Sequence, residues 1–289
     1  MTSVLVTGSD GFLGVPLVHA LRQAGYDVHP LAHADGDIAD AALIGSMPAT
    51  QHVFHLAART FVPASWRDPG EFMRTNVVGT TQVLEFCRRH GAGLTYVSAY
   101  LYGNVKRLPV SEATEAMPNN PYALSKLLAE RACRFYAEAH GVAVTILRPF
   151  NIYGPGQKAQ FLIPELVEQV RRGAEIRVRD LAPKRDFVYV DDVVDALLRT
   201  LKPPLGYRVF NIGSGVSVSV RELIDIVQRV AGTRLLVFGN DDVRPNEIDD
   251  VYADITAART ELGWWPAVRL EDGLARLLSA ASSASAPVS

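Results

Sequence analysis

The sequence has 289 residues, 48% of them hydrophobic, and its 29 Lys and Arg residues nearly balance its 31 Asp and Glu residues. This predicts a globular protein with a sizeable core and argues against nucleic acid or an anionic membrane surface as a partner. The chain has no apolar run of the roughly 20 residues that a membrane span needs, and the first predicted strand begins too near Met1 for a signal peptide. Cys87 and Cys133 lie in helix-like stretches without ligand spacing, so we expect buried thiols, no metal site and a cytoplasmic protein.

Short apolar runs alternate with longer amphipathic segments in the first half of the chain. The predicted strands are Val4 to Thr7, Asp27 to Leu31, Val53 to Leu56, Leu94 to Ser98 and Val144 to Leu147. The predicted helices include Gly14 to Ala24, Phe72 to His90 and Pro121 to His140. This alternation is typical of an α/β fold whose parallel sheet is covered on both faces, which is a doubly wound arrangement.

The pattern becomes less regular after Arg148, where prolines at 149, 155, 164 and 183 interrupt it. We predict a first domain of residues 1–150, to which about 187–212 return as a strand and a helix. Residues 151–186 and 213–278 then form a smaller mixed α/β domain. The small and polar tail, 279–289, is expected to be disordered.

The stretch "VLVTGSDGFLG", residues 4–14, places Gly8, Gly11 and Gly14 between a strand and a helix. Such glycines allow a tight turn and the close approach of a pyrophosphate to helix N-terminal amides, so the loop indicates a dinucleotide site. The second strand ends in Ala32 and His33 rather than in the acid that accepts hydrogen bonds from the ribose of NAD. No arginine stands there for the 2′-phosphate of NADP, so the sequence leaves NAD and NADP open.

Downstream of that strand, Asp37 with Ile38 could flank the adenine, its carboxylate accepting from the amino group. An ordinary loop turn explains the same residues.

A tyrosine and a lysine lie one turn apart near the start of the third helix. Asn120 can cap this helix and Pro121 suits its first turn, so Tyr122 and Lys126 converge on one face. A lysine ammonium beside a phenol stabilises phenolate and lowers a pKa of about 10, which suits proton exchange with a substrate oxygen. Ser98, at the end of the preceding strand, could polarise the same oxygen. An accidental pair on an exposed helix face is the alternative.

These residues resemble the extended short-chain dehydrogenase/reductase family over nearly the whole chain. The matching pieces are "TGSDGFLG" from Thr7, "HLAA" at 55–58, "TNVVGT" at 75–80, Ser98, the Tyr122 and Lys126 pair, "RPFNIYGPGQ" at 148–157, "KRDFVYVDDV" at 184–193 and "ELGWWP" near the end. The resemblance implies a Rossmann domain that binds NAD or NADP and a smaller C-terminal domain that binds a nucleoside-diphosphate sugar.

The resemblance also assigns roles to individual residues. Catalysis falls to Ser98, Tyr122 and Lys126. The cofactor residues are Gly8, Gly11, Phe12, Leu13, Gly14, Asp37, Ile38, Leu56, Ala57, Ala58, Asn76, Tyr122, Lys126 and Pro149, with Asn76 supporting the helix or a water relay. The substrate residues are Thr60, Ser98, Tyr100, Asn151, Phe161, Arg185, Arg244 and Glu247. Guanidinium groups suit diphosphate oxygens, although a surface ion pair is an alternative for each arginine.

The resemblance narrows the reaction to chemistry at C4 of the sugar. Dehydratases of the family have an acidic pair after the serine position, where this chain has Ala99 and Tyr100, so loss of water is not expected. A 4-ketoreductase and a 4-epimerase with tightly bound NAD remain. The quoted motifs look most like the GDP-4-keto-6-deoxymannose reductase group, which favours reduction. A non-catalytic nucleotide-binding regulator is a third reading, disfavoured because both Tyr122 and Lys126 are present.

Relatives of this fold pair two helices across a twofold axis, which predicts a homodimer through Phe72 to His90 and Pro121 to His140. The apolar candidates for that interface are Phe86, Leu127 and Phe135. Packing within one chain is the alternative.

Overall fold

The computed structural model describes residues 2–202, 206–240 and 247–283, with side chains of the last helix as far as Ser279. Its strands are β1 (Ser3–Thr7), β2 (Asp27–Leu31), β3 (His52–His55), β4 (Gly93–Val97), β5 (Val144–Pro149), β6 (Asn151–Tyr153), β7 (Glu175–Val178), β8 (Lys184–Arg185), β9 (Phe187–Tyr189), β10 (Tyr207–Ile212), β11 (Val218–Ser219) and β12 (Leu236–Gly239). Its α-helices are α1 (Gly14–Gln23), α2 (Ala41–Gly45), α3 (Val62–Arg67), α4 (Pro69–Met73), α5 (Gly79–His90), α6 (Pro121–His140), α7 (Leu162–Arg172), α8 (Val190–Arg199), α9 (Val220–Ala231), α10 (Thr256–Glu261) and α11 (Leu270–Ser283).

The main sheet has six parallel strands in the order β2-β1-β3-β4-β5-β10. The chain passes from β1 to β2 on one side and then to β3 on the other, so the direction of the order reverses at β1. A crevice therefore opens beyond the carboxyl ends of β1 and β3, where ligands bind in such sheets. The Rossmann-type sheet and the five strands predicted from the sequence are confirmed.

Side-chain alternation along β1 divides the core between the two faces of the sheet. Val4 and Val6 lie in one buried cluster with Leu17 and Leu21 of α1, whereas Leu5 lies in a second cluster with residues of α5 and α6. Successive strand side chains point to opposite faces, so a continuous apolar run builds both clusters at once.

Helix α6 begins and ends at the predicted residues. The Asn120 side chain accepts a hydrogen bond from the Ala123 amide at 2.8 Å, and Pro121 occupies the first helical position. Gly141 ends the helix with a φ of 69°, in the left-handed region that glycine adopts freely. These two ends fix the height of Tyr122 and Lys126 above the sheet.

The predicted helix from Phe72 to His90 is divided. A π-helical turn, Arg74–Val78, separates α4 from α5. A π turn takes one residue more than an α turn, so it shifts the face of the helix that follows. Phe86, predicted to face outward, is buried at 3% exposure, whereas Phe135 is 58% exposed. The prediction for Phe86 is therefore wrong.

The remaining strands form three two-stranded pairs within the described residues: β6 with β9, β7 with β12, and β8 with β11. The predicted return of 187–212 to the main sheet is made by β10, whereas β9 pairs with β6. The buried Asp186 carboxylate, between β8 and β9, accepts hydrogen bonds from the amides of Ser214, Gly215 and Ala253 and from the Ser214 hydroxyl. One buried side chain thus joins three segments of the smaller region.

Helix α11 continues through Ser283 and so covers the first five residues of the predicted tail, 279–289, whose other residues lie outside the described part of the chain. Cys87 and Cys133 are buried free thiols, as predicted, and burial raises the pKa of each. Within the ranges that the structure covers, no helix is long and apolar enough to cross a membrane. The same ranges contain no cluster of His, Cys, Asp and Glu that could hold a metal ion.

Candidate active site

The glycine-rich loop between β1 and α1 lies directly against the segment that follows β3. Gly8 has a φ of 68°, and a Cβ there would lie 2.8 Å from the backbone nitrogen of Ala57. A Cβ on Gly14 would lie 2.1 Å from the Gly8 carbonyl oxygen, so only glycine fits at both positions. No described side chain caps α1, and its first turn holds no acid, so its amides can bind an anion. The loop fits the pyrophosphate of a dinucleotide.

The predicted cofactor residues Leu56, Ala57 and Ala58 follow β3 in this crevice. The amides of Leu56 and Ala57 donate to the carbonyl and the hydroxyl of Thr7, each at 3.2 Å. Pro149 ends β5 at the same edge of the sheet and is buried. Because β1, β3 and β5 are parallel, the segments at their carboxyl ends lie at the same edge of the sheet.

A buried hydrogen-bond relay leads away from the glycine loop. Burial, reinforced by the nearby Lys126 charge, lowers the pKa of His55 to about 3, so its ring is neutral. The Thr80 hydroxyl donates to the Asn76 carbonyl at 2.6 Å, which leaves its oxygen to accept from His55 Nε2 at 3.0 Å. His55 Nδ1 is then the acceptor for the Thr7 hydroxyl at 2.7 Å. Every donor in the relay therefore points the same way.

The Asn76 side chain continues this relay to α6. Its oxygen accepts from the Arg59 amide at 2.9 Å, and its nitrogen donates to the Arg59 carbonyl at 3.0 Å and the Ser125 hydroxyl at 2.8 Å. The Ser125 hydroxyl donates in turn to the Tyr122 carbonyl at 2.7 Å. Both Asn76 donors are used within the protein, and one of them links the π turn to α6.

Lys126 is 2% exposed and lies at the centre of the site. Its ammonium group donates to the Val97 carbonyl at 2.6 Å and lies 4.5 Å from the centroid of the Tyr96 ring. Burial lowers the pKa of Lys126 to about 7, against the opposing effect of Glu130. The lysine is therefore poised to change charge near neutral pH.

Tyr122 differs from the prediction in its protonation. Burial and the neighbouring Tyr100 raise the pKa of Tyr122, whereas the sequence predicted that Lys126 would lower it. The reason is that the Lys126 ammonium is directed to the Val97 carbonyl. The Tyr122 ring packs edge-on against Phe72, with a centroid separation of 6.4 Å. The folded chain alone therefore keeps the Tyr122 phenol protonated.

Ser98 follows Val97 at the end of β4 and is 3% exposed. Its amide extends the sheet by donating to the Leu147 carbonyl at 2.8 Å. Its buried hydroxyl has no hydrogen-bond partner among the described residues. Buried hydroxyls are rarely left unpaired, so this one fits a ligand oxygen at the place predicted for the substrate.

Asp37 and Ile38 lie at the outer end of the crevice. Asp37 accepts from the Ala39 amide at 2.9 Å and forms an ion pair with Arg74, and both contacts hold the pKa of Asp37 below its usual value. Ile38 is buried against Gly79, whose Cβ would lie 2.6 Å from the Ile38 methyl carbon. Sequence reasoning missed Arg74, because only the fold places the π turn beside this loop.

Two of the predicted substrate residues, Tyr100 and Asn151, contact each other, and a third, Phe161, contacts the residue next to a fourth, Thr60. The Tyr100 hydroxyl donates to Asn151 Oδ1 at 3.3 Å, and the Asn151 amide nitrogen donates to the Asp186 carbonyl at 3.1 Å. Phe161 contacts Phe61, which follows the exposed Thr60, with a centroid separation of 6.2 Å. The ends of α3 and α7 are therefore close in space.

Arg185 and Glu247, both predicted to bind substrate, form an ion pair with each other. The same Arg185 guanidinium donates to the carbonyls of Lys184 and Ile248 at 2.7 and 2.6 Å. Three of its five N–H donors are therefore used, and two have no partner among the described residues. Arg244 lies outside the described residues.

Comparisons with known proteins agree with this geometry. The model of the NAD dependent epimerase/dehydratase family matches residues 4–213. GDP-6-deoxy-D-mannose reductase of Pseudomonas aeruginosa is 32% identical over 96% of both chains. UDP-glucose 4-epimerase of Mycolicibacterium smegmatis is 32% identical over 94% of this chain and 96% of its own. The structure of RMD from Pseudomonas aeruginosa complexed with NADPH has a TM-score of 0.90 and 32% identity, covering 98% of this chain and 100% of that one. The chain belongs to the NAD dependent epimerase/dehydratase family.

Proposed function

We propose that this protein reduces the C4 keto group of a nucleoside-diphosphate 4-keto-6-deoxy sugar. The observation that carries the proposal is the buried Ser98 hydroxyl at the end of β4, which has no hydrogen-bond partner among the described residues and can donate to a keto oxygen. The Tyr122 phenol, whose pKa is raised by burial, can supply the proton that the new C4 alkoxide needs. The similarity to a 6-deoxymannose reductase over 96% of both chains supports the same direction.

When bound at the glycine loop, NAD(P)H would supply the hydride for C4. Ser98 donates a hydrogen bond to the keto oxygen, and Tyr122 transfers its phenolic proton to that oxygen as the C4–H bond forms. The products are the C4 alcohol and NAD(P)⁺, and Tyr122 regains a proton from water. Lys126 holds the nicotinamide ribose. The two free Arg185 donors bind the diphosphate, and Tyr100 with Asn151 contacts the sugar.

A 4-epimerase is the second candidate, favoured by the 32% identity to a UDP-glucose 4-epimerase over 94% of this chain. It uses the same three residues, but it returns the hydride to the opposite face of the sugar and keeps its cofactor. A protein that co-purifies with bound NAD would fit this candidate. A reductase, by contrast, releases its cofactor after every turnover.

The test is to mix the purified protein with GDP- or dTDP-4-keto-6-deoxyhexose and to follow the absorbance of NADPH and NADH. We expect stoichiometric consumption with one combination. Tyr122→Phe should abolish turnover and still bind the dinucleotide, whereas a non-catalytic binding protein would be unaffected. No consumption on either sugar, together with interconversion of C4 epimers of a reduced nucleotide sugar, would contradict reduction and establish the epimerase.

We also propose that the protein is a cytoplasmic homodimer that pairs α5 and α6 across a twofold axis. Leu124, Leu128 and Phe135 are 40%, 41% and 58% exposed on α6, and Val78 is 44% exposed just before α5. Leu128 to Glu and Phe135 to Glu together should convert the dimer to monomer in light scattering. A wild-type protein that is monomeric at micromolar concentration would contradict the proposal. The two free thiols support the cytoplasmic location.

A further inference from the structure

Two acidic side chains accept hydrogen bonds from backbone amides at the carboxyl end of β2. The Ala32 amide donates to Asp35 Oδ2 at 2.8 Å, and the His33 amide donates to Asp10 Oδ1 at 3.1 Å. Asp10 belongs to the glycine-rich loop, which is held at this end of β2 by a hydrogen bond from the Ser9 amide to the Leu31 carbonyl at 3.2 Å. Both backbone amides that follow β2 are therefore occupied by carboxylates.

This position decides which dinucleotide a Rossmann-type site accepts. An acid there hydrogen-bonds the adenosine ribose of NAD, whereas an arginine nearby accommodates the 2′-phosphate of NADP. The sequence has Ala32 and His33 at the end of the strand and so left both cofactors open. The fold supplies the missing acid from two other places, the glycine loop and the loop after β2.

We propose that Asp10 and Asp35 make this protein select NAD(H) over NADP(H). Among the described residues, the second oxygen of each carboxylate accepts no hydrogen bond. It can therefore accept one from a ribose hydroxyl. A phosphate at the 2′ position carries about two negative charges and would face both carboxylates at this exposed edge. The amides of Ala32 and His33 already donate to carboxylates, so neither is free to donate to that phosphate.

Among the described residues, Arg22 is the arginine or lysine whose position could favour the opposite selection. Arg22 lines an open hollow between α1 and β2, together with Asp10, His19 and Ala32. Arg22 is in the last turn of α1, however, eight residues beyond Gly14 and thus about 12 Å along the helix axis. When the pyrophosphate of NADP(H) is bound by the glycine loop, its 2′-phosphate would meet Asp10 before it reached Arg22.

The experiment is calorimetric titration of the sugar-free protein with NADH, NADPH, ADP-ribose and 2′-phospho-ADP-ribose. We expect the Kd for each 2′-phosphorylated ligand to be about tenfold or more above that of its partner, and this ratio to shrink as salt rises from 0.05 to 0.5 M. Asp10→Asn keeps the bond to the His33 amide but replaces the second carboxylate oxygen by an uncharged NH2 donor, so the ratio of the NADPH Kd to the NADH Kd should fall several-fold. Arg22→Gln is the matched control and should change neither Kd.

Tighter or equal binding of NADPH by the wild type would overturn the proposal, as would weaker NADPH binding in Arg22→Gln. Failure to bind either dinucleotide would overturn it as well. If Asp10→Asn melts at a lower temperature than the wild type, Asp35→Asn tests the same charge effect from the other loop. Because no sugar is added, the outcome does not depend on whether the protein is a reductase or an epimerase.

Discussion

Replacement of Lys126 by methionine should change how the stability of the protein depends on pH. Burial lowers the pKa of Lys126 from 10.5 in the unfolded chain to about 7 in the folded protein. Between these values the unfolded chain binds a proton that the folded protein does not, so the free energy of unfolding rises with pH by about 1.4 kcal/mol per pH unit. Below about pH 7 both states are protonated, and the full penalty of about 5 kcal/mol applies. Above pH 10.5 the penalty is absent.

The assay is urea unfolding of the wild type and of Lys126→Met, both free of dinucleotide, from pH 7.5 to 9.5. The wild type should gain about 3 kcal/mol relative to the variant across this range. Lys126→Met also removes the hydrogen bond to the Val97 carbonyl, which changes the free energy of unfolding by an amount that does not depend on pH. Burial raises the pKa of Cys87 and Cys133 well above this pH range, so both thiols stay protonated in either folded protein, and their titration in the unfolded chain cancels in the difference. Replacement of the exposed Lys106 by methionine is the control and should give a constant difference.

Two parallel stability curves for the wild type and Lys126→Met would refute this reasoning. They would mean that the lysine keeps its charge in the folded protein. The Val97 carbonyl and the Tyr96 ring would then compensate fully for the removal of the ammonium from water.

Three further substitutions give distinct outcomes. Glu130→Gln leaves the buried Arg148 guanidinium without its carboxylate and should cost about 3–5 kcal/mol in urea unfolding, with Glu130→Gln/Arg148→Met recovering part of the loss. Gly8→Ala should abolish calorimetric binding of ADP-ribose, because the new Cβ would collide with the Ala57 backbone; unchanged affinity would contradict the proposed cradle. Ser98→Ala should lower kcat about 100-fold and change the free energy of unfolding by less than about 1 kcal/mol, since its hydroxyl has no partner to lose; an unchanged kcat would remove Ser98 from the site.

Local chemistry made part of the site predictable from the sequence. Gly8 and Gly14 stand where a backbone needs left-handed freedom or close approach, and such needs are visible in a short motif. The ends of α6 were predicted correctly, because Asn120 and Gly141 act on their immediate neighbours.

What depended on distant contacts was not predictable. Arg185 and Glu247 were each predicted to meet the substrate, and nothing in their local sequence shows that they pair with each other. The pKa of Tyr122 was predicted in the wrong direction, because the Val97 carbonyl that attracts Lys126 comes from another strand. Phe86 was misplaced by the π turn, a backbone irregularity that helical periodicity alone does not reveal.

The one-way relay from Thr7 through His55 and Thr80 to Asn76, and on to Ser125, has a consequence for chimeric proteins. Each donor needs the acceptor that the next segment supplies, so the glycine loop cannot be exchanged with that of a homologue as an isolated cassette. A crossover placed after α5 takes Thr7, His55, Asn76 and Thr80 from the same parent protein. Libraries that randomise these positions one at a time would discard combinations that function only as a set.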